Sequence, residues 1–184
     1  MFIERHRGWM NMRIILTGTP GTGKSTAAKA AAKKLGLTHL DLSKAIKEEQ
    51  LFSGYDKKRD SYIAEMKKVT EFVTMFERKN KDLIIDGHVA HLLPDKLADT
   101  VIVLRCEPEA LKKRLEKRRW NKTKVEENAE AELIGIIAYE ARENHKSVFE
   151  IDTTGLSTRK VAGLVERVLK GEGSKYRKQI DWIK

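Results

Sequence analysis

Eight residues near the amino end of the chain have the spacing of a phosphate-binding loop. The run Gly18–Ser25, GTPGTGKS, fits the pattern G-x-x-x-x-G-K-[ST]. Glycines let the backbone curl so that successive N–H groups face one concavity, and a helix that begins there adds unpaired amides and a partial positive charge. Lys24 can then reach the terminal phosphates of ATP, and Ser25 can ligate Mg²⁺. The spacing therefore predicts nucleotide binding.

The residues on either side of this loop support that interpretation. Arg13–Thr17 (RIILT) is a short apolar run typical of a buried strand, and residues 26–35 are rich in alanine and favour a helix. Thr26 would begin that helix near the α-phosphate. A glycine-rich turn with a solvated lysine and serine is the alternative, but such a turn does not need a strand before it and a helix after it.

A second group of polar residues follows the apolar run Leu83-Ile84-Ile85. Asp86 stands where an ATPase with this loop places the acid on its Mg²⁺ side, although an aspartate there can also cap the next turn. His88 could orient a water or a phosphoryl acceptor, because neutral imidazole accepts a proton near pH 7. It could equally be a packed, hydrogen-bonded histidine. We expect His91 to be structural or on the surface.

A basic stretch between two predicted helices contains Arg118, Trp120 and Lys124. A mobile segment there could close over a triphosphate, and Arg118 could stabilise the charge that develops during phosphoryl transfer. Trp120 could instead be a hydrophobic anchor. Nearby acidic residues have helical spacing and are predicted to form a solvated face paired with lysines: Glu126, Glu127, Glu130 and Glu132.

The elements that must position these residues alternate between strands and helices, which predicts an α/β fold with a parallel sheet. We expect strands at 13–17, 38–42, 83–86, 100–104 and 148–151, and helices at 25–35, 44–50, 62–79, 108–119, 125–144 and 158–170. Ligands of such sheets lie beyond the carboxyl ends of the strands. The glycine loop and Asp86 each follow a strand, so they should meet there.

Two further segments are predicted from local pattern. The stretch 41–64 has the right place for a phosphoryl acceptor, with Tyr55, Asp56 and Arg59 as polar candidates, although Gly54-Tyr55-Asp56 also reads as a turn between helices. Residues 175–184 could form a short helix that docks through Trp182 and Ile183.

Composition indicates one soluble domain over residues 1–184. The chain is 40% hydrophobic and 35% charged, with no apolar run near the roughly 20 residues of a membrane span. Its one cysteine, Cys106, excludes an internal disulfide and favours a cytoplasmic location. The net charge of +10 suits nucleotide or RNA partners, with solvated helix faces as the alternative. Because Met12 lies just before the first predicted strand, residues 1–11 are expected to be either a dispensable extension or the result of a wrongly assigned start site.

Several motifs together resemble the archaeal and nuclear adenylate kinase-like ATPases, the coilin-interacting nuclear ATPase family. The resemblance spans residues 13–169. Gly18–Thr26 is similar to that family's phosphate loop, and Asp86-Gly87-His88 to its magnesium motif. Residues 48–56 resemble its monophosphate segment, and residues 118–124 resemble its short lid.

The resemblance implies a P-loop NTPase of the nucleoside-monophosphate kinase type, with a five-stranded parallel sheet flanked by helices. It implies Mg²⁺-dependent transfer from ATP to AMP, giving two ADP, together with ATPase activity. It also implies a role in rRNA processing and ribosome biogenesis, with a platform ribosomal protein of the small subunit and possibly pre-rRNA as partners.

The resemblance assigns site residues in the same way. ATP would be bound by Gly21, Gly23, Lys24, Ser25, Thr26 and Arg118. Lys24, Asp86, His88 and Arg118 would be catalytic, and Ser25 and Asp86 would hold the metal. Residues 41–64 would form the monophosphate-binding segment, and residues 117–127 the lid.

The chain also departs from ordinary adenylate kinases. Residues 86–90 lack the arginine that those enzymes supply to AMP, and Arg142 could stand in for part of the arginine pair that follows their lid. AMP binding could therefore be weak. Two other functions stay open: an ATP-switched ribosome assembly factor with little kinase activity, and a kinase for another small molecule, such as shikimate.

Overall fold

The computed structural model describes residues 11–183, so the predicted extension lies almost wholly outside the described residues. Seven strands and seven α-helices are described in this part of the chain. In order they are β1 (Arg13–Thr17), α1 (Lys24–Leu35), β2 (Thr38–Asp41), α2 (Leu42–Glu48), β3 (Phe52–Asp56), β4 (Ser61–Ala64), α3 (Met66–Lys79), β5 (Leu83–Asp86), β6 (Thr100–Arg105), α4 (Pro108–Lys117), α5 (Lys122–Leu133), α6 (Ile136–Asn144), β7 (Val148–Asp152) and α7 (Thr158–Arg167).

Five of these strands form a parallel sheet in the order β2-β5-β1-β6-β7. β1 lies at its centre, and its register places Leu16 beside Asp86 of β5 and Thr17 beside Val103 of β6. The loop that leaves β1 therefore emerges at the same edge of the sheet as the end of β5. The predicted sheet is confirmed, including the meeting of these two strand ends.

Helices cover both faces of the sheet because the strands are apolar on both sides. Ile14 and Leu16 are fully buried in one cluster with α1 and α7. Ile15, between them, is buried in a second cluster with α2, α3 and α6. Alternate strand residues point to opposite faces, and burying each such side chain contributes about 1.5–3 kcal/mol. The strand ends are thus held rigidly.

The segment 52–64 differs from its prediction. β3 and β4 form an antiparallel hairpin, so the alternative of a turn between helices at Gly54–Asp56 is wrong. The helix predicted over 62–79 is present but begins only at Met66. Aromatic rings stabilise the hairpin: Tyr62 lies 4.4 Å from Phe52 and 5.2 Å from Tyr55 between ring centroids. Such cross-strand pairs outweigh the local preference for a helix.

The helix predicted over residues 125–144 is two helices. Gly135 separates α5 from α6 with φ +67, and a Cβ there would lie 3.2 Å from the Arg105 guanidinium. The left-handed conformation ends α5 because a side chain would be strained at this position. α5 also begins earlier than expected, where the Asn121 side chain accepts a hydrogen bond from Lys124 N at 2.8 Å.

The carboxyl end of the chain is mostly irregular. After α7 the chain continues through a π-helical turn, Val168–Glu172, and a 3₁₀ turn, Ser174–Arg177. The predicted helix over 175–184 is therefore wrong. Trp182 does dock onto the body, whereas Ile183 is exposed. No helix within residues 11–183 combines the length and the apolar character needed to cross a membrane.

Candidate functional site

The phosphate loop joins β1 to α1 and curls around one carbonyl oxygen. Thr19 O accepts hydrogen bonds from Thr22 N at 3.2 Å, Thr22 Oγ1 at 2.9 Å and Lys24 Nζ at 3.1 Å. Gly18 has φ +137, and a Cβ there would lie 2.2 Å from Leu104 O. Only glycine fits so close to β6. The curl expected from the sequence is therefore present.

Lys24 is the first residue of α1, and its side chain is largely enclosed, with 9% of the residue exposed. Burial lowers the pKa of Lys24 to about 8, the nearby carboxylate of Asp86 opposes this change, and the positive charge of Arg118 adds to it. A buried ammonium gains strongly from an anion placed beside it. The site is thus electrostatically suited to phosphate.

Asp86 ends β5 and is 1% exposed. Ser25 Oγ donates to Asp86 Oδ1 at 2.5 Å, and His39 Nε2 lies 2.5 Å from Asp86 Oδ2. A hydroxyl next to a carboxylate is an oxygen donor pair that fits Mg²⁺, whose remaining ligands are usually water and substrate phosphates. In the part of the chain that the structure describes, no cluster of three or more His, Cys, Asp or Glu side chains competes as a metal site.

His39 is a site residue that the sequence analysis missed. It lies on β2, whose register pairs His39 with Ile84 and Asp41 with Asp86. A lone histidine in a short strand carries no local signal, and its proximity to Asp86 depends on β2 and β5 being neighbours.

The two histidines after β5 have different surroundings. His88 is exposed on the wall of the cleft, where partial desolvation and the charge of Lys24 lower its pKa while open water moderates the effect. His91 is buried, with Nδ1 at 3.2 Å from Thr17 Oγ1 and Nε2 at 2.8 Å from Glu140 Oε2. His91 is therefore a packed residue, and His88 faces the cleft as a neutral imidazole near pH 7.

A cleft of about 430 Å³ brings the predicted site residues together. It is lined by Gly21, Gly23, Lys24, Ser25, Thr26, Asp86, His88 and Arg118, all of which the sequence analysis selected. Arg59, another candidate from the sequence, lines it as well. Ser43 and Ser61, which the sequence did not single out, also line it.

The hairpin and the basic segment 118–124 meet across this cleft. Arg59 Nε donates to Glu127 Oε2 at 3.1 Å, and Lys124 Nζ donates to Asp60 O at 3.4 Å. Lys124 Nζ also lies 4.3 Å from the centroid of the Trp120 ring. Trp120 both lines the cleft and packs beside α4, so the two interpretations of this residue are compatible.

Two expectations about charged residues are wrong. Glu132 is not on a solvated face: it is 1% exposed, and its Oε1 accepts from Arg105 Nε at 2.7 Å. Helical spacing alone could not show that the last turn of α5 reaches under the phosphate loop. Arg142 does not line the cleft, because its guanidinium lies 2.7 Å from Glu150 Oε1.

The chain is similar to known proteins over nearly its whole length. A family profile described as an AAA domain matches residues 14–135. A protein named "Putative adenylate kinase" from Methanocaldococcus jannaschii is 40% identical over 175 residues, covering 93% of each chain. Proteins of the same name from Methanosarcina acetivorans and Pyrococcus furiosus are 45% and 39% identical, covering 86% and 94% of this chain and 86% and 92% of their own.

Solved structures show the fold. Shikimate kinase from Bacteroides thetaiotaomicron superposes with a TM-score of 0.62 at 19% identity, covering 88% of this chain and 99% of that one. Shikimate kinase from Acinetobacter baumannii, solved in complex with shikimate, gives 0.62 at 17% identity, covering 88% and 94%. The P-loop NTPase fold is thus confirmed, as is the resemblance to adenylate kinase-like proteins of archaea. The nuclear branch of that resemblance stays a prediction.

Proposed function

Since the chain belongs to the AAA-domain family and to the adenylate kinase-like family of its archaeal relatives, we propose that it transfers a phosphoryl group from ATP to AMP and forms two ADP. One observation carries the proposal. The phosphate loop, Asp86, His88 and Arg118 line one cleft, and Arg59 of the hairpin lines the same cleft. Such a cleft suits two phosphorylated ligands that meet end to end.

In this proposal Lys24 and Arg118 act on the donor. Both are cationic, and their charges already interact. Phosphoryl transfer spreads negative charge over the equatorial oxygens of the transferred group, so fixed cations there stabilise the transition state more than the substrate. The loop amides and the start of α1 bind the remaining phosphates.

Ser25 and Asp86 are the residues that would hold Mg²⁺, with His39 fixing the orientation of the Asp86 carboxylate. The ion supplies charge neutralisation between the phosphates when it is bound. Because His39 binds Asp86 Oδ2, Asp86 Oδ1 stays directed at Ser25, and Asp86 Oδ1 and Ser25 Oγ remain close together.

The acceptor side is formed by Ser43, Arg59 and Ser61. His88 also lines the cleft and is neutral near pH 7, so its imidazole can donate a hydrogen bond to the attacking phosphate oxygen of AMP or, in hydrolysis, accept one from the attacking water. With water as acceptor the same arrangement hydrolyses ATP, and we propose ATPase activity as its second outcome.

The ribosomal role and the ribosomal-protein and pre-rRNA partners stay predictions that rest on the resemblance, and the cytoplasmic location stays a prediction that rests on the single cysteine. The net charge of +10 favours a partner rich in phosphate. The similarity to shikimate kinases, at under 20% identity, supports the fold assignment and gives no information about the substrate.

A coupled assay of ADP formation tests the proposal. We expect ADP to form faster from ATP and AMP together than from ATP alone. We expect Lys24→Ala to lower both rates by a factor of about 100 or more. Other nucleoside monophosphates and shikimate serve as competing acceptors. If AMP adds nothing to the rate, the kinase reaction is excluded; if Lys24→Ala keeps full activity, the site itself is wrong.

A further inference from the structure

A buried network of hydrogen bonds lies beneath the phosphate loop and takes no part in the proposed reaction. Its centre is Glu132, near the end of α5. Thr19 Oγ1 donates to Glu132 Oε2 at 2.5 Å, while Arg105 Nε and Cys106 N donate to Oε1 at 2.7 and 3.1 Å. A carboxylate buried to this degree is costly unless its partners are well placed, so the arrangement is tightly specified.

Thr19 connects this network to the ATP side of the loop. Its hydroxyl is bound to Glu132, and its carbonyl oxygen accepts from Lys24 Nζ and Thr22. Thr19 is 1% exposed and is not among the residues that line the cleft. Its side chain therefore fixes the carbonyl around which the loop curls without touching a ligand in the cleft.

The carboxyl-terminal segment, residues 178–183, completes the network. Trp182 Nε1 donates to Glu132 Oε1 at 3.1 Å, and its ring centroid lies 5.8 Å from the Arg105 guanidinium. Ile180 O accepts from Arg105 NH1 at 3.1 Å, and Ile180 N donates to Glu150 Oε2 at 3.0 Å. Both carboxylates that hold Arg105 are thus also bound by this segment.

We propose that Glu132 is a positioning residue for ATP binding and that the carboxyl-terminal segment keeps it in place. Of the proposed function, this inference requires ATP binding and not phosphoryl transfer. When Thr19 is tied to Glu132, the loop is already curled and Lys24 already directed. When that bond is absent, binding must also order the loop, and affinity falls by the cost of ordering.

A purely structural role for the network has a different signature. Loss of stability reduces the fraction of folded protein, which lowers the amount of active enzyme but leaves the Kd of the folded molecules unchanged. A positioning role changes the Kd itself. Equilibrium binding of ATP therefore separates the two, and it does not depend on turnover.

Three variants of the full chain test the proposal: Thr19→Val, Thr19→Ser and Trp182→Phe. Valine keeps the shape of threonine without the donor, serine keeps the donor, and phenylalanine keeps an aromatic ring without Nε1–H. Titration with Mg²⁺ and a fluorescent ATP analogue measures Kd, and thermal unfolding measures stability. We expect Thr19→Val to raise Kd about tenfold, which is near the lower end of the contribution of a hydrogen bond to a charged group. We expect Trp182→Phe to raise Kd only about threefold, because Trp182 acts on the loop through Glu132, and Thr19→Ser to stay near the natural protein.

The outcomes are distinct. A Thr19→Val protein that is less stable but binds with unchanged Kd overturns the positioning role. If that variant does not fold, Trp182→Phe decides, and an unchanged Kd there overturns the proposal. If Thr19→Val raises Kd and Trp182→Phe does not, the part given to the carboxyl-terminal segment is wrong. Failure of the natural protein to bind Mg·ATP refutes the proposed function instead, whereas ATP binding without AMP-dependent turnover removes only the kinase reaction.

Discussion

At the scale of single residues, the ionisation of Lys24 sets how the protein responds to pH. Its pKa is lowered by burial from 10.5 to about 8 without nucleotide, and the phosphates of ATP must raise it on binding. Below pH 8 the ammonium is present before and after binding. Above pH 8 the free protein loses the proton and must recapture it, so affinity falls.

The expected result is a flat Kd for Mg·ATP between pH 6.5 and 8 and a rise of up to about tenfold per pH unit above it. Calorimetry in buffers of different ionisation enthalpy should show proton uptake on binding in the upper range. Lys24→Arg is the control, because a guanidinium stays charged throughout. A Kd that does not change between pH 8 and 9.5 would contradict the lowered pKa.

His88 lines the cleft, and its side chain has no hydrogen-bond partner among the described residues. Packing therefore does not account for it, and its role in the reaction can be tested separately. We expect His88→Ala to lower kcat by about 100-fold, within the range of a lost general base or positioning group, and to leave the Kd for Mg·ATP nearly unchanged. Single-turnover kinetics with ATP and AMP would measure this. His91→Ala is not an equivalent control, since His91 is buried. A kcat of His88→Ala equal to that of the natural protein would leave His88 without a role in the transfer.

The residues of the site were predictable to the extent that local pattern encodes them. Gly21, Lys24 and Ser25 belong to one continuous motif, and Asp86 and His88 end an apolar run. His39 and Glu132 could not be found in this way. Each is defined by a partner far away in the sequence, and only the neighbours in the sheet and the reach of α5 bring the pairs together.

At the scale of elements, the contact between the hairpin and α5 shapes the cleft. Arg59 donates to Glu127 across it and also to Asp56 within the hairpin turn. These side chains are largely solvated, and an exposed ion pair contributes at most about 1 kcal/mol. Any larger effect of removing Arg59 must therefore come from a ligand.

The matched variants Arg59→Ala and Glu127→Gln each remove the ion pair between the hairpin and α5, so any difference between their effects measures what Arg59 does beyond that pair. If Arg59 only holds the hairpin to α5, both should raise the KM for AMP equally and by less than about fivefold. We expect Arg59→Ala to exceed this by a further factor of about ten, because an arginine bound to phosphate contributes more than an exposed pair. Initial rates at varied AMP and saturating ATP give both values. If both variants raise the KM for AMP equally and by less than about fivefold, Arg59 does not bind the phosphate of AMP.

Elements were predictable where one signal dominated. β1, β5 and β6 each contain a continuous apolar run, and α1 is an alanine-rich run that follows the loop. The hairpin was missed because residues 62–64 continue smoothly into a helical pattern, and the ring of Phe52 that holds them is ten residues away. The break at Gly135 was missed for a related reason. A glycine within a helical pattern does not by itself show whether it takes the left-handed conformation that ends a helix, as Gly135 does here beside Arg105.

At the scale of the whole molecule, the excess of lysine and arginine creates a positive electrostatic potential around the protein. A net charge of +10 attracts anions over distances near the Debye length, about 10 Å at 0.1 M salt. We expect the Kd for Mg·ATP to rise about three- to tenfold between roughly 50 and 300 mM potassium chloride. Adenosine, which carries no phosphate, should show almost no salt dependence. The same salt dependence for adenosine would mean that salt changes the fold and not the attraction.

Thr19 and Glu132 lie 113 residues apart in sequence, and Trp182, which also binds Glu132, follows 50 residues later. Such contacts cannot form during synthesis until the later partner has been added to the growing chain. A nascent chain that carries the complete glycine motif but has not reached Glu132 therefore lacks the support that curls the loop. Affinity for ATP should reach its full value only after Trp182 has been added, so shorter nascent chains bind the cell's nucleotide more weakly.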